Sequence, residues 1–191
     1  MSKFPELYQY CQSLEPKISR ADITKRTLEL TNTTVRAVKS GLDINVCRGF
    51  FLSAANKENR LVQQFDTNLI VTARSLNYCW ERFVYTKELM HLFDLDGELT
   101  STAESFEKLL RDFGQPVLEL SPQLSAENRA FWMALSCFCP DKHRLEFKAQ
   151  IEKGHIDNYS IALKLRIPEQ YVPNLFIPQY PGIIAFLTGK V

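Results

Sequence analysis

The sequence predicts an α+β fold, with a small antiparallel sheet packed against helices. Three observations predict it. Residues 45–73 hold short runs rich in β-branched and aromatic residues. The stretches on either side carry apolar residues at three- and four-residue spacing. Turn-forming residues and prolines separate these segments.

The elements follow in order. Residues 4–14 and 22–39 read as helices, the second through Leu28, Thr31, Val35 and Val38 at helical spacing, with Ser40-Gly41 as its stop. Asn45 to Ser53, Leu61 to Phe65 and Asn68 to Ala73 read as strands, with Asn56-Lys57-Glu58-Asn59 as turn material between the first two. A long helix is expected from Asn77 to Phe93, with Trp80, Phe83, Val84 and Leu89 as its apolar positions, ended by Asp94-Leu95-Asp96-Gly97-Glu98. Residues 101–113 form a further amphipathic helix opened by the capping box Ser101-x-x-Glu104. Pro116 and Pro122 bracket a loop, and a helix runs from Ser125, its N-cap, to Phe138, stopped by Pro140. Beyond Pro140 the chain is more polar, with two short helices at 159–165 and 168–176 joined by a tight turn. The tail from Ile177 to Val191 is apolar, and such a segment docks on its own domain or on a partner; its own domain is the favoured reading.

Bulk chemistry narrows the function classes. Of 191 residues 45% are hydrophobic and 24% charged, as in a folded globular chain that needs no disulfide or structural metal to hold a core. Lys and Arg total 23 against 22 Asp and Glu, a net charge of +1, so bulk charge gives no support for nucleic-acid binding, although it leaves room for a local basic patch. Cys11, Cys47, Cys79, Cys137 and Cys139 fit neither a disulfide framework nor a zinc finger and read as reduced, mostly buried thiols. The N-terminus lacks an apolar core of signal-peptide type and no stretch reaches the length of a membrane span, so a cytoplasmic protein is expected.

One constellation carries chemistry. Lys87-Glu88-Leu89-Met90-His91 keeps the spacing of H-E-x-x-H. In that motif two His four residues apart share a helix face and hold zinc, while the Glu takes a proton from zinc-bound water. Taken alone, K-E-x-x-H is a solvated helix surface. Glu127 shares a face with Ala130, Phe131, Ala134 and Phe138, so it reads either as an acidic residue favourable to the helix dipole or as an inward, paired carboxylate. Asp94 reads as a helix-end residue or an alternative ligand, and His143 and His155 as surface residues.

The run Glu81-Arg82-Phe83-Val84-Tyr85-Thr86-Lys87-Glu88-Leu89-Met90-His91-Leu92-Phe93 resembles the ImmA/IrrE motif R-F-T-x-A-H-E-x-G-H. Glu127-x-x-Ala130 with Phe138-Cys139-Pro140 resembles that family's E-x-x-A…L-M-P helix, and residues 159–176 resemble its small helix-turn-helix-like element. The resemblance covers about residues 45–176. It implies a zincin-like fold, with a small antiparallel sheet packed on a metal-type helix and a partner helix, its core at 45–140 and a small helical element at 141–176, to which the residues themselves add N-terminal helices at 1–44 and the apolar tail at 177–191. It also implies His91 and Glu127 as metal ligands and Glu88 as catalytic base.

The chain departs from the pattern where the first His is Lys87 and the usual Gly is Met90. A protonated Lys has no lone pair for a metal. The favoured reading is charge substitution, in which Lys87 stands in the place of the dication and pairs with Glu127 or Glu88, and no cofactor is expected. The resemblance then implies a non-catalytic regulatory or protein-binding module of mobile-element or stress-response type, with a protein partner such as a helix-turn-helix repressor. The alternative is an active zinc metallopeptidase with an atypical site, built on His91, Glu127 and Asp94 with Glu88 as base, that cleaves such a repressor. A DNA-contacting regulator using 159–176 is a third reading, resting on Lys164 and Arg166 alone.

Overall fold

The computed structural model describes residues 3–15, 17–95, 98 and 121–190. The expected helix at 101–113 and the loop at Pro116 lie outside the described residues.

The described residues combine helices with a small three-stranded sheet. Helices α1 (Phe4–Gln12) and α2 (Arg20–Thr31) precede strands β1 (Val35–Ser40) and β2 (Gly49–Leu52). Helix α3 (Arg60–Phe65), strand β3 (Asn68–Ala73) and helix α4 (Tyr78–Met90) follow, and a 3-10 turn at His91–Phe93 extends α4. After the segment outside the described residues come α5 (Pro122–Phe138), α6 (Asp141–Glu152), α7 (Asn158–Leu165), a 3-10 stretch at Glu169–Phe176 and α8 (Tyr180–Leu187).

The sheet is mixed, which corrects the antiparallel expectation. Its order is β1-β3-β2, with β3 parallel to β1 and antiparallel to β2. The difference begins at Asn32, which takes a left-handed conformation (φ 51°) and closes α2 early. The β-branched Thr33 and Thr34 then lead into β1, which begins at Val35, rather than prolonging the helix. Val35 and Val38 therefore belong to β1. Residues 61–65 are likewise helix α3, not a strand, because the Asn59 side chain accepts the Leu61 N–H and starts the turn.

Strand β3 is buried along both faces. Ile70 joins the main core under α4, while Leu69 and Val71 pack with Leu52 and Val62 on the other side. Gly49 permits α4 to approach β2, since a Cβ there would stand 2.6 Å from Val84 Cγ1 and 2.8 Å from the Val71 carbonyl oxygen.

Helix α4 is capped by Asn77, whose side chain accepts the Trp80 N–H. Helix α5 starts earlier than Ser125. Ser121 is its N-cap and Pro122 occupies the first turn, a position where the missing N–H costs nothing. Pro140 ends α5 and immediately caps α6, a helix hidden by its polar sequence. His143 lies on that helix and is buried beside Glu146, correcting its surface assignment; His155 is exposed. The tail folds back on its own domain as α8, burying Tyr180, Ile184 and Leu187.

Arg82 joins distant parts of this core. Its guanidinium donates to the carbonyl of Ile18, to Leu165 O at 2.7 Å and to Arg166 O at 2.9 Å, and lies 3.9 Å over the Phe138 ring. Two of those acceptors are end-of-helix carbonyls of α7 that no intrahelical donor reaches. Burial lowers the Arg82 pKa to about 10, so the group keeps its charge at neutral pH.

Candidate functional site

Helical geometry places Lys87 and His91 one turn apart on α4, with Glu88 beside them. Helix α5 packs against α4 and brings Glu127 to the same place. Glu127 sits in the second turn of α5, past the first-turn positions where the helix dipole alone favours an acid. Its partner is Lys87.

Lys87 Nζ donates to Glu88 Oε1 at 2.8 Å and also pairs with Glu127 Oε2. His91 Nε2 faces Glu127 Oε1 at 3.4 Å and Glu88 Oε2 at 3.6 Å. The other imidazole nitrogen, Nδ1, is 2.5 Å from Asp94 Oδ2. Phe51 of β2 stacks on the imidazole, with ring centroids 6.1 Å apart. The side chains of Lys87 and Glu127 keep 21% and 20% of their surface exposed, whereas Glu88 keeps 3%. The group therefore opens to solvent on its Lys87–Glu127 side.

Burial and charge act against each other here. Burial alone would lower the Lys87 pKa, but the charges of Glu88 and Glu127 outweigh it and hold the ammonium above its ordinary value. Burial would likewise lower His91, but hydrogen bonds to Asp94 and Glu127 and the nearby carboxylates raise it to about 10. Glu127, which burial would raise, is held well below the usual carboxylate range by Lys87 and His91. Glu88 moves the other way: burial, with Glu127's charge adding, raises it despite Lys87 and His91. At neutral pH the centre holds an ammonium and an imidazolium among carboxylates.

The residues present do not fit a zinc ion. The Lys87 ammonium donates to both carboxylates that border it, offers no lone pair and repels a dication. His91 turns Nδ1 to Asp94 and Nε2 toward Glu127 and Glu88, so it offers a single imidazole nitrogen beside carboxylates that the ammonium already engages. Among the described residues no group of three or more His, Cys, Asp and Glu side chains is arranged to hold a metal.

Lys87, Glu88, His91, Glu127 and Asp94 thus come together. Sequence reasoning missed Arg129 and Glu98. Arg129 lies 2.5 Å from Glu98 Oε2 and 3.5 Å from Asp94 Oδ1, extending the chain of charges from α5 to the end of the 3-10 turn. Asp94 and Glu98 stand four apart, a spacing at which one cation can serve both, but nothing in the sequence says which cation arrives. All five cysteines are free, with Cys11, Cys137 and Cys139 buried and Cys47 and Cys79 partly buried. Among the described residues no helix is long and apolar enough to cross a membrane. No family model, curated protein or solved structure matches the chain.

Proposed function

We propose that this chain is a degenerate ImmA/IrrE-like zincin domain, in which the Lys87 ammonium stands in the place of the metal, and that it works as a non-catalytic regulatory or protein-binding module. The observation that carries the reading is the convergence of Lys87, Glu88, His91 and Glu127 from two helices. A merely solvated K-E-x-x-H surface would leave Glu127 elsewhere and Glu88 in water. Asp94 holds His91 through Nδ1, as a second carboxylate commonly holds a ligand imidazole in a metal site. The partner on this reading is a protein, a helix-turn-helix repressor being the one the resemblance implies, in a mobile-element or stress-response setting.

The test is zinc binding before and after Lys87→His. The parent chain is expected to carry no stoichiometric zinc on elemental analysis. The variant regains an imidazole at the i,i+4 position beside His91 and Glu127, and calorimetry should show zinc binding accompanied by a higher melting temperature, because a ligand that binds only the folded state stabilises it. A folded Lys87→His variant without zinc affinity overturns the zincin reading. One zinc per parent chain, with cleavage of a repressor, would instead establish the peptidase alternative.

A further inference from the structure

A second surface lies at the opposite end of α4 from the charge cluster. Arg20, Lys39, Arg48 and Arg166 come from separate segments and meet the first turns of this helix, and Arg74 stands three residues before its N-cap Asn77. The backbone shows the convergence: Arg74 N–H donates to Ser40 O at 2.8 Å, and Ala73 N–H donates to Arg48 O at 2.9 Å. Arg20 and Lys39 both reach Glu81, at 3.2 and 2.7 Å. The Arg166 guanidinium lies 6.0 Å from the Tyr78 ring, and that of Arg48 4.1 Å from the Trp80 ring.

Charge here is poorly neutralised. Arg48, Arg74 and Arg166 are exposed, and among the described residues none has a carboxylate at salt-bridge distance. Glu81 is already shared between two cations. Asp22 is turned onto Ser19 at 2.8 Å, and Asp43 accepts the Asn45 N–H at 2.9 Å. Tyr78 lies beside Arg166 at the start of α4 and keeps 61% of its surface exposed.

We infer that this surface binds single-stranded nucleic acid, the arginines following the phosphates and Tyr78 stacking on a base. An exposed ring beside unneutralised guanidinium groups is the combination that single strands use, because every base has a π-face and every linkage an anion. A base-paired duplex offers phosphates but hides its base faces, and an anionic membrane offers no bases. The net charge of the whole chain conceals this surface, because the compensating acids lie elsewhere.

The experiment uses the full chain and a labelled oligothymidylate of about 15 nucleotides, read by fluorescence anisotropy. Binding is expected at low salt, weakening about tenfold between about 50 and about 150 mM salt as roughly three phosphate contacts are screened. Arg74→Glu with Arg166→Glu should weaken it at least tenfold, whereas Lys57→Glu, at the far end of the sheet, should not. Tyr78→Phe should keep the affinity and Tyr78→Leu lose it several-fold. Glu81→Gln frees Arg20 and Lys39 and should tighten binding, a gain that misfolding cannot imitate. Absence of binding at low salt, indifference to the double charge reversal, or no gain from Glu81→Gln overturns the inference. So does a preference for a duplex of equal length or for phosphatidylserine vesicles.

Discussion

Lys87 and Glu127 form an ion pair that joins α4 to α5 where the two helices pass. Each is also bound to the rest of the cluster, Lys87 through Glu88 and Glu127 through His91. Losing one member leaves an opposite charge without its partner in a mostly desolvated place.

Lys87→Ala should therefore destabilise the fold by about 3 kcal/mol, at the low end for buried pairs because both side chains keep some solvent contact. Lys87→Met together with Glu127→Leu should recover much of that loss. Urea denaturation of Lys87→Met, Glu127→Leu and the double measures the coupling. Additive losses would mean that the pair holds nothing together.

Stability should also fall on the alkaline side. His91 is raised in the folded state, so its contribution is fully present below its ordinary unfolded pKa and is lost as pH rises through about 10. Thermal unfolding from neutral pH to pH about 10 should show the decline, and His91→Gln should flatten it. On the acid side Glu127, held low, contributes above its unfolded value and loses that contribution as pH falls. Glu88, held high, acts in the opposite sense there and partly offsets it.

Gly49→Ala should cost about 2 kcal/mol, an overpacking penalty. Its Cβ meets both Val84 Cγ1 and the Val71 carbonyl oxygen. Adding Val84→Ala removes only the side-chain clash, so rescue should be partial. Full rescue, seen in denaturant midpoints, would show that the backbone contact relaxes freely.

Removal of residues 177–191 should lower the melting temperature by at least several degrees and create binding sites for a hydrophobic dye. The side chains of Tyr180, Ile184 and Leu187 now cover the main core. An unchanged melting curve with no new dye signal would contradict the observed packing.

Strand β3 and helix α4 are legible in the sequence, because Asn68 to Ala73 is a compact β-branched run and Asn77 is a strong N-cap. The pairing of Lys87 with Glu127 or Glu88 is legible only through the resemblance, which places a carboxylate opposite the motif; helical spacing alone leaves Lys87 and Glu88 as surface charges. Strand β1 is not, since Val35 and Val38 satisfy a helical period and only the left-handed turn at Asn32 decides against it. Parallel pairing of β1 with β3 depends on contacts that no local pattern encodes. Helix α6 escapes for the opposite reason: its inward face carries His143 and Arg144 beside Phe147, so polar residues mask its period. The place of Arg129 between Asp94 and Glu98 is a tertiary fact in the same sense.

The buried guanidinium of Arg82 has a consequence for synthesis. Its acceptors lie 64 residues before it in Ile18 and 83 and 84 residues after it in Leu165 and Arg166. A nascent chain that has produced α4 but not α7 holds a cation whose final carbonyls do not yet exist, and burying it then would strand unmet donors. The Arg82 end of the central helix is therefore expected to stay hydrated until α7 arrives to receive it. Closure of the core is thereby tied to the synthesis of α7, and a chain cut short before residue 165 is expected to be more open to proteases than the folded protein.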